Sequence, residues 1–404
     1  MIDFETLYGW VKDLPIIDWH NHLDMRMLAA DKPLGSLYEV WVKSDPYKHR
    51  AMRICGEPER LITGEAPENE KWAAWMRTLP KLVGNPLFAW ARMELAWLEL
   101  EAEPYLQGHG ANISLAGWTP SKMLAKFGVE YMSPCVGAGE LGKSPAECAE
   151  VRSGRGTQEI LIVPSLRMNA GDVVPDETLE RFHAAGCRVV DVSVDDGAQL
   201  LAPDTHLPTV AAFAAAHGWT MLLHLGALRE TSARLRAAAG AAGGFAGMRA
   251  PVDPAAVAAF LNGLEKGGSL PRTILMSLNP EAHAQLAVLA GSFNGEGMPG
   301  KVQLGPAWWW CDHEEGIRDV LEKNAAYGVL STFIGMTTDS RSLLSFVRHD
   351  YFRVILCRWV AEKVAAGTFP ADEALLRPML ENICYRNAKA RGLCACRSRN
   401  GKDA

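Results

Sequence analysis

The chain has 404 residues, 48% of them hydrophobic and 22% charged, with a formal net charge of −6. That profile is globular, and the length suits one large domain or two ordinary ones. A net negative chain with scattered basic residues argues against nucleic acid or an anionic membrane as partner. The opening "MIDFETLYGWVKDLP" reads as neither signal peptide nor anchor, and no stretch approaches the roughly 20 apolar residues of a membrane span. The nine cysteines are odd in number, dispersed and free of CxxC pairs. Reduced, packed thiols in a cytoplasmic protein are therefore expected. The CxC of "LCAC" (393–396) sits alone in a polar tail, 392–404, expected to be flexible.

In chain order, "LPIIDWH" (14–20) is the first strand. Residues 25–126 follow, rich in Trp and charge, as several helices inserted after that strand. Strands then recur as "VEYMS" (129–133), "EILIVPS" (159–165), "CRVVDVSV" (187–194) and "TMLLHLG" (220–226). "RTILMSL" (272–278), "KVQLG" (301–305) and "FIGMTTDS" (333–340) complete a set of eight. Near-continuous Val, Ile and Leu means burial on both faces, as in a parallel sheet. Eight such units alternating with helical patterns predict an α/β fold, a (β/α)8 TIM-like barrel formed by 1–404 as one domain. A doubly wound open sheet is the alternative, but no Gly-rich nucleotide loop follows the first strand. Active sites lie at the C-terminal ends of barrel strands, so the 25–126 insertion is expected over the mouth. The Gly/Ala/Pro stretch 236–254 is expected to be a mobile mouth loop.

Chemistry concentrates at the strand ends. Residues i and i+2 of a strand face one way, so His20 and His22 project together, with Asp18 in the same phase. Paired neutral imidazoles suit a divalent cation such as Zn2+ or Mn2+. Asp339 closes the eighth strand, which neighbours the first in a closed barrel, and can complete a His20, His22, Asp339 set. A helix N-cap is the plainer reading of Asp339. Arg341, two residues on, can fork an anionic substrate group. His224 ends the fifth strand, with Arg229 five residues beyond; it is either a core histidine or a ligand or substrate contact at the mouth. Three consecutive tryptophans cannot all face one way; Trp309 is the candidate for the pocket, where an aromatic face suits sugar C–H groups. "RHDYFR" is helical by pattern, making Arg348 a candidate substrate contact and His349 structural.

These strand ends resemble the amidohydrolase superfamily, with its metal-dependent hydrolase type of barrel, and within it the uronate isomerases. "DWHNH", "HLGALR", "GKVQLGPAWWWCD", "GVLSTFIGMTTDSRSLLSFVRHDYFRVILC" and "ENICYRNA" are similar to uronate isomerase segments in the same order. So are "DPYKHRAMR", "TGEAPENEKWAAW" and "GNPLFAWARMEL" in the insertion. The resemblance covers most of the chain and is weakest over 95–160 and 230–260. It implies one divalent metal, Zn2+ before Mn2+, held by His20, His22 and Asp339. It also implies conversion of D-glucuronate to D-fructuronate, with D-galacturonate to D-tagaturonate as a second pair. Moving a proton from C2 to C1 through an enediol needs an electrophile for the oxygens, a base and a proton shuttle. Asp339 is the candidate base and Tyr47 the proton partner. Arg167, Arg341 and Arg348 are candidates for the substrate carboxylate; Arg167 matches a family arginine after the third strand.

Two positions depart from the family. Its His-Tyr-Lys-Trp-Arg is here Pro46-Tyr47-Lys48-His49-Arg50, and its Asp-His-Gly is Asp191-Val192-Ser193. The losses suggest a divergent isomerase, or a relative using the same metal on another sugar acid. A mononuclear hydrolase of a sugar-acid lactone or ester is the alternative activity, and a non-catalytic sugar-acid binder a third reading. The expected partner is a small-molecule sugar acid, and a homo-oligomer is compatible with the sequence.

Overall fold

Runs of β-branched and aliphatic residues form one curled parallel sheet. A computed structural model describes residues 2–141, 160–241, 243–295 and 297–390. The tail 392–404, with its CxC, lies outside the described residues. The strands are β1 (Ile16–Asn21), β2 (Val129–Gly137), β3 (Leu161–Ile162), β4 (Ser165–Asn169) and β5 (Val189–Val194). They continue with β6 (Thr220–Leu225), β7 (Ala227–Leu228), β8 (Gly247–Met248), β9 (Arg272–Ser277) and β10 (Val302–Leu304). Seven of them pair in the order β1-β2-β4-β5-β6-β9-β10, with β3 alongside β2. Every residue of β1, β5 and β6 is buried, as strands covered on both faces require.

The structure departs from the expected eight strands in two places. The third run is split at Val163–Pro164 into β3 and β4, because proline has no N–H to give the ladder. The eighth, 333–340, runs without ladder pairing but still fills the gap between β10 and β1. On one side the Ile334 N–H donates to Gln303 Oε1 (2.9 Å). On the other, Asp339 N–H donates to His20 O (3.1 Å) and His22 N–H to Ser340 O (2.8 Å). Side chains replace the missing rungs: Asp18 accepts from Thr338 N (2.7 Å), Thr338 Oγ1 (2.8 Å) and Asn21 Nδ2 (2.8 Å). Its Oδ1 also lies 3.1 Å from His349 Nε2. Asp18, in phase with the histidines, is thus a fully buried staple rather than a mouth residue. Gly335 adopts φ +79°, and a Cβ there would lie 2.0 Å from Ile383 O, so only glycine permits the approach.

Between β1 and β2 the chain is helical, including Leu37–Trp41, Pro46–Ile54, Glu68–Thr78, Pro86–Trp97 and Pro120–Lys126. Ser36, Asp45, Asn85 and Thr119 cap four of these starts with side-chain acceptors, and proline begins three. Both are strong start signals, since proline's missing N–H would be unpaired there anyway. The helices share their own core around Trp41, Trp72, Trp75 and Trp90, separate from the barrel core. Buried Lys48 is neutralised by Asp45 (2.8 Å) and faced by Glu94 (3.7 Å), which pins the start of the Pro46–Ile54 helix. The 236–254 stretch holds the end of the helix Ala233–Ala239 and β8, which pairs antiparallel with β7, and its Ala241, Gly244 and Ala246 line the mouth. It packs on the Pro46 helix through Gly244 (φ +76°), where a Cβ would lie 2.2 Å from Pro46 O.

Candidate functional site

The C-terminal ends of the strands, the start of the Pro46–Ile54 helix and the residues Ala241, Gly244 and Ala246 enclose a cavity of about 220 Å³. His20 and His22 reach it from the end of β1, 2 residues apart as pleating requires. Asp339 meets them across the closing segment: its Oδ1 lies 3.1 Å from Nε2 of each histidine. The carboxylate turns that way because the Asp339 backbone is left-handed (φ +47°), a conformation Asp tolerates better than most residues. Burial alone would raise the Asp339 carboxyl, but hydrogen bonds from both imidazoles hold it well below its usual range. Burial lowers His22 to about 4.

A second imidazole–carboxylate unit stands beside the first. Asp191 occupies an inward position of β5, and its Oδ1 lies 2.6 Å from His224 Nδ1 on neighbouring β6. The His224 ring packs 4.7 Å from His20 and 4.4 Å from Trp308, centroid to centroid. Its Nε2 is buried without a hydrogen-bond partner among the described residues. Arg229 donates to Ser193 Oγ (2.7 Å) and lies 3.4 Å from Asp195. Arg167 and Arg341 share the wall; among the described residues neither makes an ion pair. Burial, then the repulsion of Arg167, depresses the Arg341 guanidinium. Trp308 and Trp309 both line the cavity, Trp309 with φ +51°, whereas Trp310 packs on Tyr47.

Tyr47 lines the cavity with its hydroxyl 3.4 Å from Asp312 Oδ2. Arg348, expected as a substrate contact, lies behind that wall instead. Its Nη1 donates to Asp312 Oδ2 and to Thr338 O (both 3.0 Å), and its guanidinium covers the Tyr47 and Trp90 rings. Burial raises the Asp312 carboxyl to about 7, against the pull of Arg348. His349 holds Asp18, as a structural residue would.

The two departures noted in the sequence have different consequences. Pro46 does line the cavity, with an apolar ring. Val192 is fully buried in the barrel core, while its neighbours Asp191 and Ser193 face the cavity. Nothing at position 192 reaches the mouth. His49 is buried away from the cavity lining.

Sequence reasoning missed Asp191, Ser193, Asp312 and Cys135. The first two were legible from alternation in "VVDVSV", whose inward phase holds residues 189, 191 and 193. Asp312 had no signal beyond a charge after three tryptophans. Cys135 corrects the view of all the cysteines as packing: Sγ lies 3.2 Å from His20 Nδ1. His20, His22 and Cys135 offer metal-binding atoms within 4.8 Å of one another.

A parallel α/β barrel with imidazoles, carboxylates and guanidiniums gathered at its strand ends defines a barrel enzyme whose site is the mouth. The family model of glucuronate isomerase matches residues 3–111 and 203–391. Uronate isomerases from Geobacillus thermodenitrificans and Halalkalibacterium halodurans are each 32% identical to the chain, over 95% of its length and 95% and 94% of theirs. Among solved structures, uronate isomerase from Thermotoga maritima aligns with TM-score 0.82 at 25% identity, covering 96% of both chains. Glucuronate isomerase from Caulobacter crescentus aligns with TM-score 0.81 at 20% identity, covering 99% of this chain and 95% of that one. The chain belongs to the uronate isomerase family, a family of aldose–ketose isomerases. The unmatched residues 112–202 overlap the stretch where the resemblance is weakest.

Proposed function

We propose that the cavity interconverts a hexuronate and its 2-keto isomer, D-glucuronate with D-fructuronate first and D-galacturonate with D-tagaturonate second. The observation that carries this reading is the pair Arg167 and Arg341, without an ion pair among the described residues and facing the same cavity as His20, His22 and Asp339. Uncompensated guanidiniums in a small, largely buried pocket call for an anion, and a carboxylate fits their fork. A sugar acid supplies that anion at one end and a reactive carbonyl at the other.

The donor set fits one divalent metal. Donors bonded at about 2.0–2.1 Å around a tetrahedral ion stand about 3.3 Å apart, and Asp339 Oδ1 lies 3.1 Å from Nε2 of both histidines. We assign His20, His22 and Asp339 as its ligands, with Zn2+ the first candidate and Mn2+ the second. Bound there, the metal would polarise the carbonyl and hydroxyl oxygens at C1 and C2. In this reading Asp339 is also the base and moves the C2 proton, and Tyr47, which lines the same cavity, exchanges hydroxyl protons. Arg167 and Arg341 orient the carboxylate, Arg229 and His224 hold hydroxyls, and Trp309 covers the sugar's C–H face. Pro46 puts an apolar ring on that wall.

Incubation of purified protein with each hexuronate and Zn2+ or Mn2+ tests the reading. Ketose from at least one acid is expected; the absence of ketose from both, with protein that binds metal, would remove it.

A further inference from the structure

Cys135 lies near the C-terminal end of β2, and its sulfur joins the two imidazole–carboxylate units. Sγ is 3.2 Å from His20 Nδ1, 3.4 Å from Asp191 Oδ2 and 3.4 Å from Ser165 Oγ. A thiol has one hydrogen to give, and a carboxylate can only accept it. The S–H therefore goes to Asp191, while sulfur accepts from the Ser165 hydroxyl and from His20. His20 must then carry a proton on Nδ1, and the proton its Nε2 shares with Asp339 is the one a cation would displace. The far side of the ring cannot also reach the sulfur, so Cys135 stands behind the ligand.

We propose that Cys135 is a positioning residue for metal binding: its sulfur fixes the tautomer and orientation of His20 so that Nε2 is presented to a divalent cation. A carboxylate or backbone carbonyl usually does this for a metal-bound histidine. Here Asp191, the carboxylate at hand, is already held 2.6 Å from His224, and the thiol carries its influence across to His20. The unpartnered, buried Nε2 of His224 beside the same ring marks a site with spare donor capacity on that wall. The inference rests on the proposed metal site.

Equilibrium dialysis of Zn2+ against wild type, Cys135→Ser and Cys135→Ala tests it without reference to turnover. Loss of the partner should weaken Zn2+ binding about 10–100-fold in Cys135→Ala. Cys135→Ser, whose hydroxyl can also donate to Asp191 and accept from Nδ1, should stay nearer wild type than Cys135→Ala. Alanine within threefold of wild type, or serine as weak as alanine, would overturn the inference. Melting of the metal-free proteins separates misfolding from lost positioning; should Cys135→Ala not fold, Cys135→Thr against Cys135→Val makes the same comparison with matched shapes. A wild type that binds Zn2+ beside an unaffected alanine variant removes this inference alone. A wild type that binds none removes the metal reading with it.

Discussion

Arg167 and Arg341 are the residues whose chemistry most constrains the ligand, because two half-buried guanidiniums that repel each other across one cavity favour an anion between them. Replacing either by Met should leave the fold intact and raise KM for a hexuronate. One hydrogen bond to a charged group contributes about 1.5–3 kcal/mol, so the expected rise is roughly 10–100-fold. Steady-state kinetics decide it, and an unchanged KM in both variants would place the carboxylate elsewhere. Asp339→Asn should abolish turnover and reduce bound metal, since one oxygen faces both imidazoles. Pro46→His returns a polar group to the wall at the first position of its helix. It should increase kcat/KM for D-glucuronate if that wall sets substrate preference; an unchanged value would show that position 46 is only structural. Most of these side chains were legible because strand ends fix their direction. Arg348 was not: helical spacing gives a face but not the depth, and its guanidinium is spent on Asp312 and Thr338. Cys135 was not legible because a thiol's role depends on neighbours brought in from β1, β4 and β5.

At the scale of elements, the closure of the barrel depends on one carboxylate. Asp18 ties β1 to Thr338 and His349, doing with a side chain what a ladder would do with backbone. That explains why the eighth run read as a strand: it carries the right apolar residues in the right place, but Gly335 and the left-handed Asp339 bend it out of ladder geometry. The other runs were readable because burial on both faces leaves an unbroken apolar signature. Asp18→Ala leaves several buried donors unpaired and should cost about 3–5 kcal/mol of stability, measured by denaturant unfolding. Burial would raise the Asp18 carboxyl, but His349 and Thr338 hold it below its usual value. A depressed carboxyl stabilises the fold above its unfolded pKa of about 4, and that contribution is lost as pH falls further. The acid limb of the stability curve below pH 4 should therefore flatten in Asp18→Ala; an identical limb would assign acid sensitivity to other groups.

For the molecule as a whole, two cores meet at the mouth. The barrel supplies the strand-end residues, and the Trp-rich helices bring Tyr47 and Pro46 over them. Among the described residues no helix is long and apolar enough to cross a membrane. A metal that bridges β1 and the closing segment should also stabilise the fold by mass action, by about 2.7 kcal/mol at a hundredfold excess over Kd. Chelation should thus lower Tm, and Zn2+ should restore it. The most direct test of the central claim, that this cavity moves a proton from C2 to C1 of a hexuronate, uses substrate deuterated at C2 followed by NMR. Ketose formation slowed by the deuterium, and absent in Asp339→Asn, is the predicted result. No ketose from metal-loaded wild type, or an Asp339→Asn variant as fast as wild type, would contradict it.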